Sequence, residues 1–98
     1  MKRFNELIKA SKPLLVDFYA SWCGPCRVMS PLIDKLERKY DDKINVLKID
    51  VDDEEDLASK YKIHTVPSLM IFKNGEIVWH GVGIQSQSML EKVIKQFM

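Results

Sequence analysis

The stretch "VDFYASWCGPCRVMSPLI", residues 16–33, contains both cysteines of the 98-residue chain, Cys23 and Cys26. It follows an apolar run and leads into apolar residues at helical spacing, so Cys23 is expected where a strand gives way to a helix. Residues i and i+3 in a first helical turn have Cβ atoms about 5–6 Å apart, whereas a disulfide needs about 3.8 Å. A small adjustment therefore makes or breaks a bond between the two sulfurs. So short a loop gains little entropy from closure, which favours a redox switch over a structural staple.

The position of Cys23 also predicts which sulfur is reactive. At a helix N-terminus, free backbone N–H groups and the positive end of the helix dipole stabilise a thiolate. Hydrogen bonds from helix N–H groups, including that of Cys26, would add to this effect. Cys23 is therefore expected to attack and Cys26 to resolve. Gly24 leaves room for an incoming partner, and Pro25 suits a first helical turn, where its missing N–H is no loss.

Length and composition indicate a single domain that spans residues 1–98. The chain is 46% apolar and 30% charged with a formal charge of +1, a balance typical of globular proteins that gives no electrostatic reason to expect nucleic acid or a membrane as partner. No apolar run approaches the roughly 18 residues of a membrane span, and the N-terminus lacks a signal-peptide core. We therefore expect a cytoplasmic protein, in which a lone cysteine pair is more often catalytic or metal-binding than structural.

The patterning predicts an α/β fold with element order αβαβαββα. The predicted segments are a helix over 4–11, a strand over 14–20, a helix over 23–40, a strand over 44–50, a helix over 53–62, a hairpin over 68–81 and a helix over 86–98. A helix joins the first two strands, so they should be parallel. Asn74-Gly75 suits a type I′ turn, so the hairpin is antiparallel. The result is a mixed four-stranded sheet with helices on both faces.

Two of these helices carry apolar stripes that should face the sheet. The stripe of the first comprises Val28, Met29, Leu32, Ile33, Leu36 and Tyr40, and that of the second Met89, Leu90, Val93, Ile94 and Phe97. Ser86 or Ser88 is the expected N-cap of the last helix, since a serine hydroxyl accepts hydrogen bonds from the first free N–H groups.

The motif "WCGPC" after "VDFYAS", with "TVP" and "KNGE" further along, resembles the thioredoxin family over essentially the whole chain. A CxxC motif near a βαβ pattern is a known signature of that family. The resemblance implies a thioredoxin-like fold and a protein dithiol–disulfide oxidoreductase that works through a mixed disulfide. It implies that a Gly-Pro insert belongs with reducing members. It also implies a monomer with no bound cofactor, which receives electrons from NADPH through thioredoxin reductase and passes them to disulfide-containing client proteins.

Two charged residues in predicted strands match family positions. By resemblance, Asp17 assists deprotonation of Cys26, and Lys48 in the next strand supports it. An unpaired carboxylate inside an apolar strand would be costly. The alternative interpretation is therefore a structural ion pair between Asp17 and Lys48.

The resemblance also predicts a docking surface for the client. Trp22 flanks the cysteine motif and helps to form that surface. A cis Pro67 is expected beside the disulfide, with the Val66 backbone pairing with an extended client segment. Gly83 would leave an open rim for the same segment. The alternative is that Gly83 only marks the end of a strand.

The sequence departs from the family in some places. Members usually begin with an extra strand, which is expected to be missing or rudimentary here because only about a dozen residues precede the strand with Asp17. Tyr19 stands where many members carry a second tryptophan, and Thr65 where glycine is frequent. His64, three residues before Pro67, would either modulate docking near neutral pH or be a solvated loop residue.

Other functions remain as alternatives. A zinc clamp needs four ligands, and the only further candidates, His64 and His80, lack pair spacing. A binding subunit would use the same surface without turnover, although intact cysteines and Asp17 argue against that as its sole role. A disulfide oxidase or isomerase of the same fold is the third alternative, which the Gly-Pro insert disfavours.

Overall fold

The computed structural model describes residues 1–98, and its helices and strands follow the predicted order. They are α1 (Lys2–Leu7), β1 (Leu14–Tyr19), α2 (Gly24–Lys39), β2 (Asn45–Asp50), α3 (Glu55–Lys60), β3 (Ser68–Lys73), β4 (Glu76–Val82) and α4 (Gln87–Phe97). The four strands form one sheet in the order β2-β1-β3-β4. β1 is parallel to β2 and antiparallel to β3, which is antiparallel to β4. The predicted mixed sheet is confirmed, and no strand precedes α1.

The interior strand β1 is buried on both faces, which agrees with its nearly unbroken apolar sequence. Leu14, Val16 and Phe18 belong to the core cluster that α1 and α3 cover, whereas Leu15 belongs to the cluster under α2 and α4. Because successive side chains of a strand point to opposite faces, Asp17 shares the face of Leu15. The alternation of β1 therefore places the Asp17 carboxyl group beneath the helix that begins at the cysteine motif.

The two longest helices pack against this face through narrow stripes. Their buried residues are Cys26, Met29, Ile33 and Leu36 in α2 and Leu90, Val93 and Ile94 in α4. The prediction was wrong for Val28 and Met89, which are 59% and 45% exposed. Each residue turns about 100° around a helix axis, so the neighbours of Met29 and Leu90 face sideways. Val28 lies two residues after Cys26 and adds apolar surface near the motif.

The helix α1 ends at Leu7, several residues before its predicted end. The hairpin turn accounts for this, because Gly75 N–H donates to Ile8 O at 2.7 Å and Asn74 N–H donates to Ala10 O at 2.9 Å. Those carbonyls therefore bond to the turn. Asn74 and Gly75 have φ angles of 54° and 84°, as the predicted type I′ turn requires.

The helix α4 begins after Ser86, whose hydroxyl accepts a hydrogen bond from Met89 N–H at 3.1 Å. Of the two predicted caps, Ser86 is therefore the one that the fold uses. α3 is shorter than predicted, although Glu55 and Asp56 do occupy its first turn. None of the four helices is both long and apolar enough to cross a membrane.

Candidate active site

The cysteine pair lies at the junction predicted for it. Cys23 is the N-cap of α2 and has extended backbone angles, and a disulfide joins it to Cys26 across a Cα–Cα distance of 5.3 Å. The Cys26 N–H donates to Cys23 Sγ at 3.1 Å, which confirms the expected contact. Gly24 is exposed, and a Cβ atom added to it would meet nothing within 4 Å. The approach to the disulfide is therefore open on that side.

Trp22 forms the exposed flank of the motif, with 68% of its surface accessible. Its indole N–H donates to Asp52 Oδ2 at 2.9 Å. Asp52 is itself held by its backbone N–H, which donates to Asp50 Oδ1 at 2.8 Å just after β2. Asp52, held in turn by Asp50, therefore fixes the orientation of the Trp22 indole. The sequence interpretation missed this contact. The unusual density of carboxylates over residues 50–56 was the signal available for it.

The Val66–Pro67 peptide bond is cis, as the resemblance implied. Val66 packs against the cysteine cluster, and neither its N–H nor its C=O makes a hydrogen bond within the chain. Gly83 N–H donates to Pro67 O at 2.8 Å. Gly83 follows the last residue of β4 and has a φ of 82°, a left-handed conformation that favours glycine. It therefore combines the two expectations, a strand end and an open rim beside Pro67.

Asp17 is 1% exposed, and its Oδ1 atom has no hydrogen-bond partner within the chain. Burial raises the pKa of Asp17 from 3.8 to about 6, the Lys48 ammonium opposes this rise, and the Asp34 carboxylate adds to it. The carboxyl group borders a cavity of about 340 Å³. The lining residues are Asp17, Tyr19, Ala20, Ser21, Cys26, Arg27, Ser30 and Lys48. One cavity therefore connects the buried acid with the second cysteine of the motif.

The alternative interpretation of Asp17 and Lys48 as a direct ion pair is wrong. The two residues are register partners in the parallel pair of β1 and β2, but Lys48 Nζ makes its ion pair with Asp34 Oδ1, at 2.6 Å. It also donates to Ser30 Oγ at 2.7 Å. Ser30 and Asp34 were missed in the sequence, where their four-residue spacing beside the apolar stripe of α2 was the only available signal.

The two histidines lie together but apart from the cysteines. His64 and His80 both line a cavity of about 210 Å³ that neither cysteine borders. His80 is exposed, and its Nε2 atom is 2.7 Å from Ser68 Oγ. His64 is also exposed. No group of three or more His, Cys, Asp or Glu side chains is arranged to hold a metal ion.

Comparison with known proteins agrees with this geometry. The Thioredoxin family model matches residues 1–96. A thioredoxin from Porphyra purpurea is 43% identical over 94 residues, which are 96% of this chain and 88% of that protein. Thioredoxin 1 from Synechococcus elongatus is 39% identical over the same shares of both chains.

Solved structures resemble the fold closely. A mutant thioredoxin from Halobacterium salinarum superposes with a TM-score of 0.91 at 35% identity, covering 99% of this chain and 84% of that one. The oxidised form of mitochondrial thioredoxin 3 from Saccharomyces cerevisiae gives a TM-score of 0.85 at 36% identity, covering 97% and 88%. With the adjacent cysteine pair as its redox couple, this chain belongs to the thioredoxin family and is a protein dithiol–disulfide oxidoreductase.

Proposed function

We propose that the protein reduces disulfides of client proteins in two exchange steps, with Cys23 as nucleophile, Cys26 as resolving thiol and Asp17 as base. The observation that carries this proposal is the cavity of about 340 Å³ shared by Asp17 and Cys26 beneath the start of α2. An acid buried with an unpartnered oxygen is costly to folding. Its position beside the second thiol supports a role in proton transfer.

In the first step, the Cys23 thiolate attacks one sulfur of the client disulfide. The client bond breaks, a mixed disulfide forms at Cys23, and the other client sulfur leaves as a thiolate. The N-cap position of Cys23 and the N–H of Cys26, 3.1 Å from its sulfur, support the thiolate. The open space above Gly24 admits the client, and Pro25 in the first turn of α2 leaves no N–H group unsatisfied there.

In the second step, the Cys26 thiol gives its proton to the Asp17 carboxylate, directly or through water in the cavity. The Cys26 thiolate then attacks Cys23 Sγ, the bond between the two cysteines forms, and the second client sulfur leaves as a thiolate. The client gains two electrons and the protein loses two. The pKa of Asp17 of about 6 suits a base that works near neutral pH.

The client segment would lie along the rim formed by Trp22, Val66, Pro67 and Gly83. The free N–H and C=O groups of Val66 can pair with an extended segment, as an added strand does. Gly83 has no side chain to obstruct it, and the exposed Trp22 indole covers apolar parts of the client. Backbone pairing depends little on sequence, which fits a protein with several clients.

We further propose that residues 1–98 act as one domain and as a cytoplasmic monomer without a bound cofactor. Electrons would come from NADPH through a thioredoxin reductase, which places the protein in electron transport and cell redox homeostasis. The thioredoxin relatives support this route. Oxidation of NADPH by a thioredoxin reductase, measured with and without this protein, tests it directly.

Reduction of insulin disulfides by dithiothreitol tests the reductase proposal. We expect rapid turnover by the wild type and none above the dithiothreitol background by Cys23→Ser or Cys26→Ser. Cys26→Ser should still accumulate a mixed disulfide through Cys23, visible by mass spectrometry, whereas Cys23→Ser should not. Folded wild type that performs no better than dithiothreitol alone would contradict the proposal and direct attention to an isomerase, an oxidase or a binding subunit.

A further inference from the structure

The side chain of Lys48 is directed to α2 and not to the carboxyl group opposite it in the sheet. Lys48 and Asp17 are register partners and border one cavity. Lys48 Nζ nevertheless binds Asp34 Oδ1 at 2.6 Å and Ser30 Oγ at 2.7 Å, while Asp17 Oδ1 has no partner within the chain. The single ammonium group beside the buried acid is therefore committed to two other acceptors.

Ser30 and Asp34 form a paired acceptor on one face of α2. They are four residues apart, so their side chains are neighbours on the helix. The main-chain carbonyl of Ser30 adds a third acceptor, 3.5 Å from Lys48 Nζ. Hydrogen bonds between charged partners are roughly twice as strong as neutral ones. The Lys48 and Asp34 side chains are 30% and 46% exposed, so water screens their attraction and the ammonium group can move if an acceptor is removed.

Few charged groups surround Asp17, so the position of the Lys48 ammonium group matters. The other titratable or charged side chains around its cavity are those of Tyr19, Cys26, Arg27 and Lys48. Its register partner on β3 is the apolar Leu69. An ammonium group within about 4–6 Å of a carboxyl group favours the ionised form, and a nearby carboxylate disfavours it. Asp34 therefore acts on Asp17 twice, by its own charge and by holding Lys48.

We propose that Ser30 and Asp34 are positioning residues that anchor the Lys48 ammonium on α2 and so set the pH above which Asp17 accepts the proton of Cys26. The inference rests on the proposed role of Asp17 as base. It adds a pH-setting function to two residues that do not touch the reacting sulfurs. It also explains why the Lys48 ammonium group does not cancel the rise in the pKa of Asp17, to about 6, that burial causes.

Asp34→Asn is the first test. Loss of the carboxylate frees Lys48 to approach Asp17 and removes a repelling charge, so Asp17 should titrate about one pH unit lower. At about pH 5 the ionised fraction of Asp17 would then rise from about 10% to about 50%, and the second step should run about fivefold faster. At about pH 8 the carboxyl group is ionised in both proteins, so the variant should be no faster there.

The second step can be timed by stopped flow with an aromatic disulfide that releases a coloured thiolate. Attack by Cys23 releases the first equivalent and resolution by Cys26 the second. Carbon-13 NMR of the Asp17 carboxyl group in the oxidised protein gives its titration without any turnover. Glu37→Gln is the matched control, because Glu37 is an exposed acid on the same helix that makes no ion pair. It should change neither measurement appreciably.

Two further variants separate the effect of the position of the Lys48 ammonium group from the effect of the charge on Asp34. Ser30→Ala removes one anchor but no charge, and it should shift the Asp17 titration to lower pH by less than Asp34→Asn does. Lys48→Met should shift it the opposite way, to higher pH, because the only nearby ammonium is lost. In the Lys48→Met background, Asp34→Asn should have a much smaller effect, since only the direct repulsion remains.

The outcomes distinguish this inference from the function on which it rests. An unchanged Asp17 titration in Asp34→Asn, with Asp17→Asn still suppressing resolution, would overturn the anchoring role alone. A shifted titration with an unchanged rate profile would show that Asp17 is not the base, and would overturn both. An equal effect of Asp34→Asn with and without Lys48 would also overturn anchoring, because the charge would then act without the lysine.

Discussion

Two carboxyl groups packed against α2 differ in their hydrogen bonding, and their pKa values are shifted in opposite directions. Glu91 of α4 accepts hydrogen bonds from Lys39, from Tyr40 at 2.6 Å and from Gln87 at 3.0 Å. Those hydrogen bonds lower the pKa of Glu91 to about 2. Asp17 lies under the other end of α2 with an unpartnered oxygen, and burial raises its pKa to about 6.

The difference supports the proposal that Glu91 stabilises the fold and that Asp17 takes part in the chemistry. Glu91 joins α4 to the end of α2 through Lys39 and Tyr40, and Gln87 of its own helix is a third donor, so its ionised form is the stable one. Asp17 gains no such bonds, and its ionisation in the folded protein is unfavourable. A buried acid that weakens the fold at neutral pH calls for another explanation, and the proposed proton transfer from Cys26, which borders the same cavity, is one.

The largest expected effect is on the rate of resolution. Asp17→Asn removes the proposed proton acceptor of Cys26, so the release of the second thiolate should slow by roughly 100-fold near neutral pH. The first release, by Cys23, should be nearly unchanged. Glu91→Gln is the comparison variant and should resolve at the wild-type rate. Equal resolution rates in wild type and Asp17→Asn would remove Asp17 from the mechanism.

The second effect is on stability. Asp17→Asn should slow resolution, but it should make the folded protein more stable at neutral and alkaline pH. A pKa raised from 3.8 to about 6 means that the folded state binds the proton more tightly than the unfolded state. The contribution of Asp17 to stability is therefore fully present below about pH 3.8 and is lost as pH rises through about 6, by about 3 kcal/mol in all. Asp17→Asn should be more stable than the oxidised wild type by up to that amount at about pH 8, and not below about pH 4.

Urea unfolding of the oxidised proteins across this pH range measures the difference. Asp53→Asn, at an exposed acid outside the cavity, is the control and should follow the wild type. A variant at Asp17 that is less stable than the wild type at alkaline pH would mean that the carboxylate is satisfied, and the contrast with Glu91 would fail.

The smallest effect is expected at Glu91. Its lowered pKa means that the carboxylate stabilises the folded protein at neutral pH, and that this contribution is lost as pH falls from about 4.5 towards about 2. Glu91→Gln should therefore lower the urea midpoint at neutral pH and match the wild type in strong acid. Glu37→Gln tests whether loss of any carboxylate does the same. An equal loss in both variants would show that the three donors add nothing specific.

The fold was largely predictable because its signals are local. The apolar run of β1, interrupted by Asp17, indicated a strand buried on both faces, and Asn74-Gly75 indicated the hairpin. The errors had two causes. α1 ends early because the distant hairpin turn bonds to Ile8 and Ala10. Val28 faces outwards because the buried stripe of α2 is narrower than the apolar pattern of its sequence.

The site was predictable only in part, for a related reason. The spacing of Cys23 and Cys26 carries its own chemistry, whereas the cis Pro67 came from resemblance. The partners of Lys48 could not be read from the chain, since its contact with Ser30 spans 18 positions and depends on which way one long side chain turns. The contact of Tyr40 with Glu91 spans 51 positions, and no local pattern relates such residues.

One titration tests the contrast between the two acids most directly. Carbon-13 NMR of the side-chain carboxyl groups in the oxidised protein would follow Asp17 and Glu91 in a single sample. The structure predicts midpoints at about pH 6 for Asp17 and about pH 2 for Glu91. Midpoints for both near pH 4, the ordinary range of free carboxyl groups, would contradict the assignment of one acid to catalysis and the other to the fold.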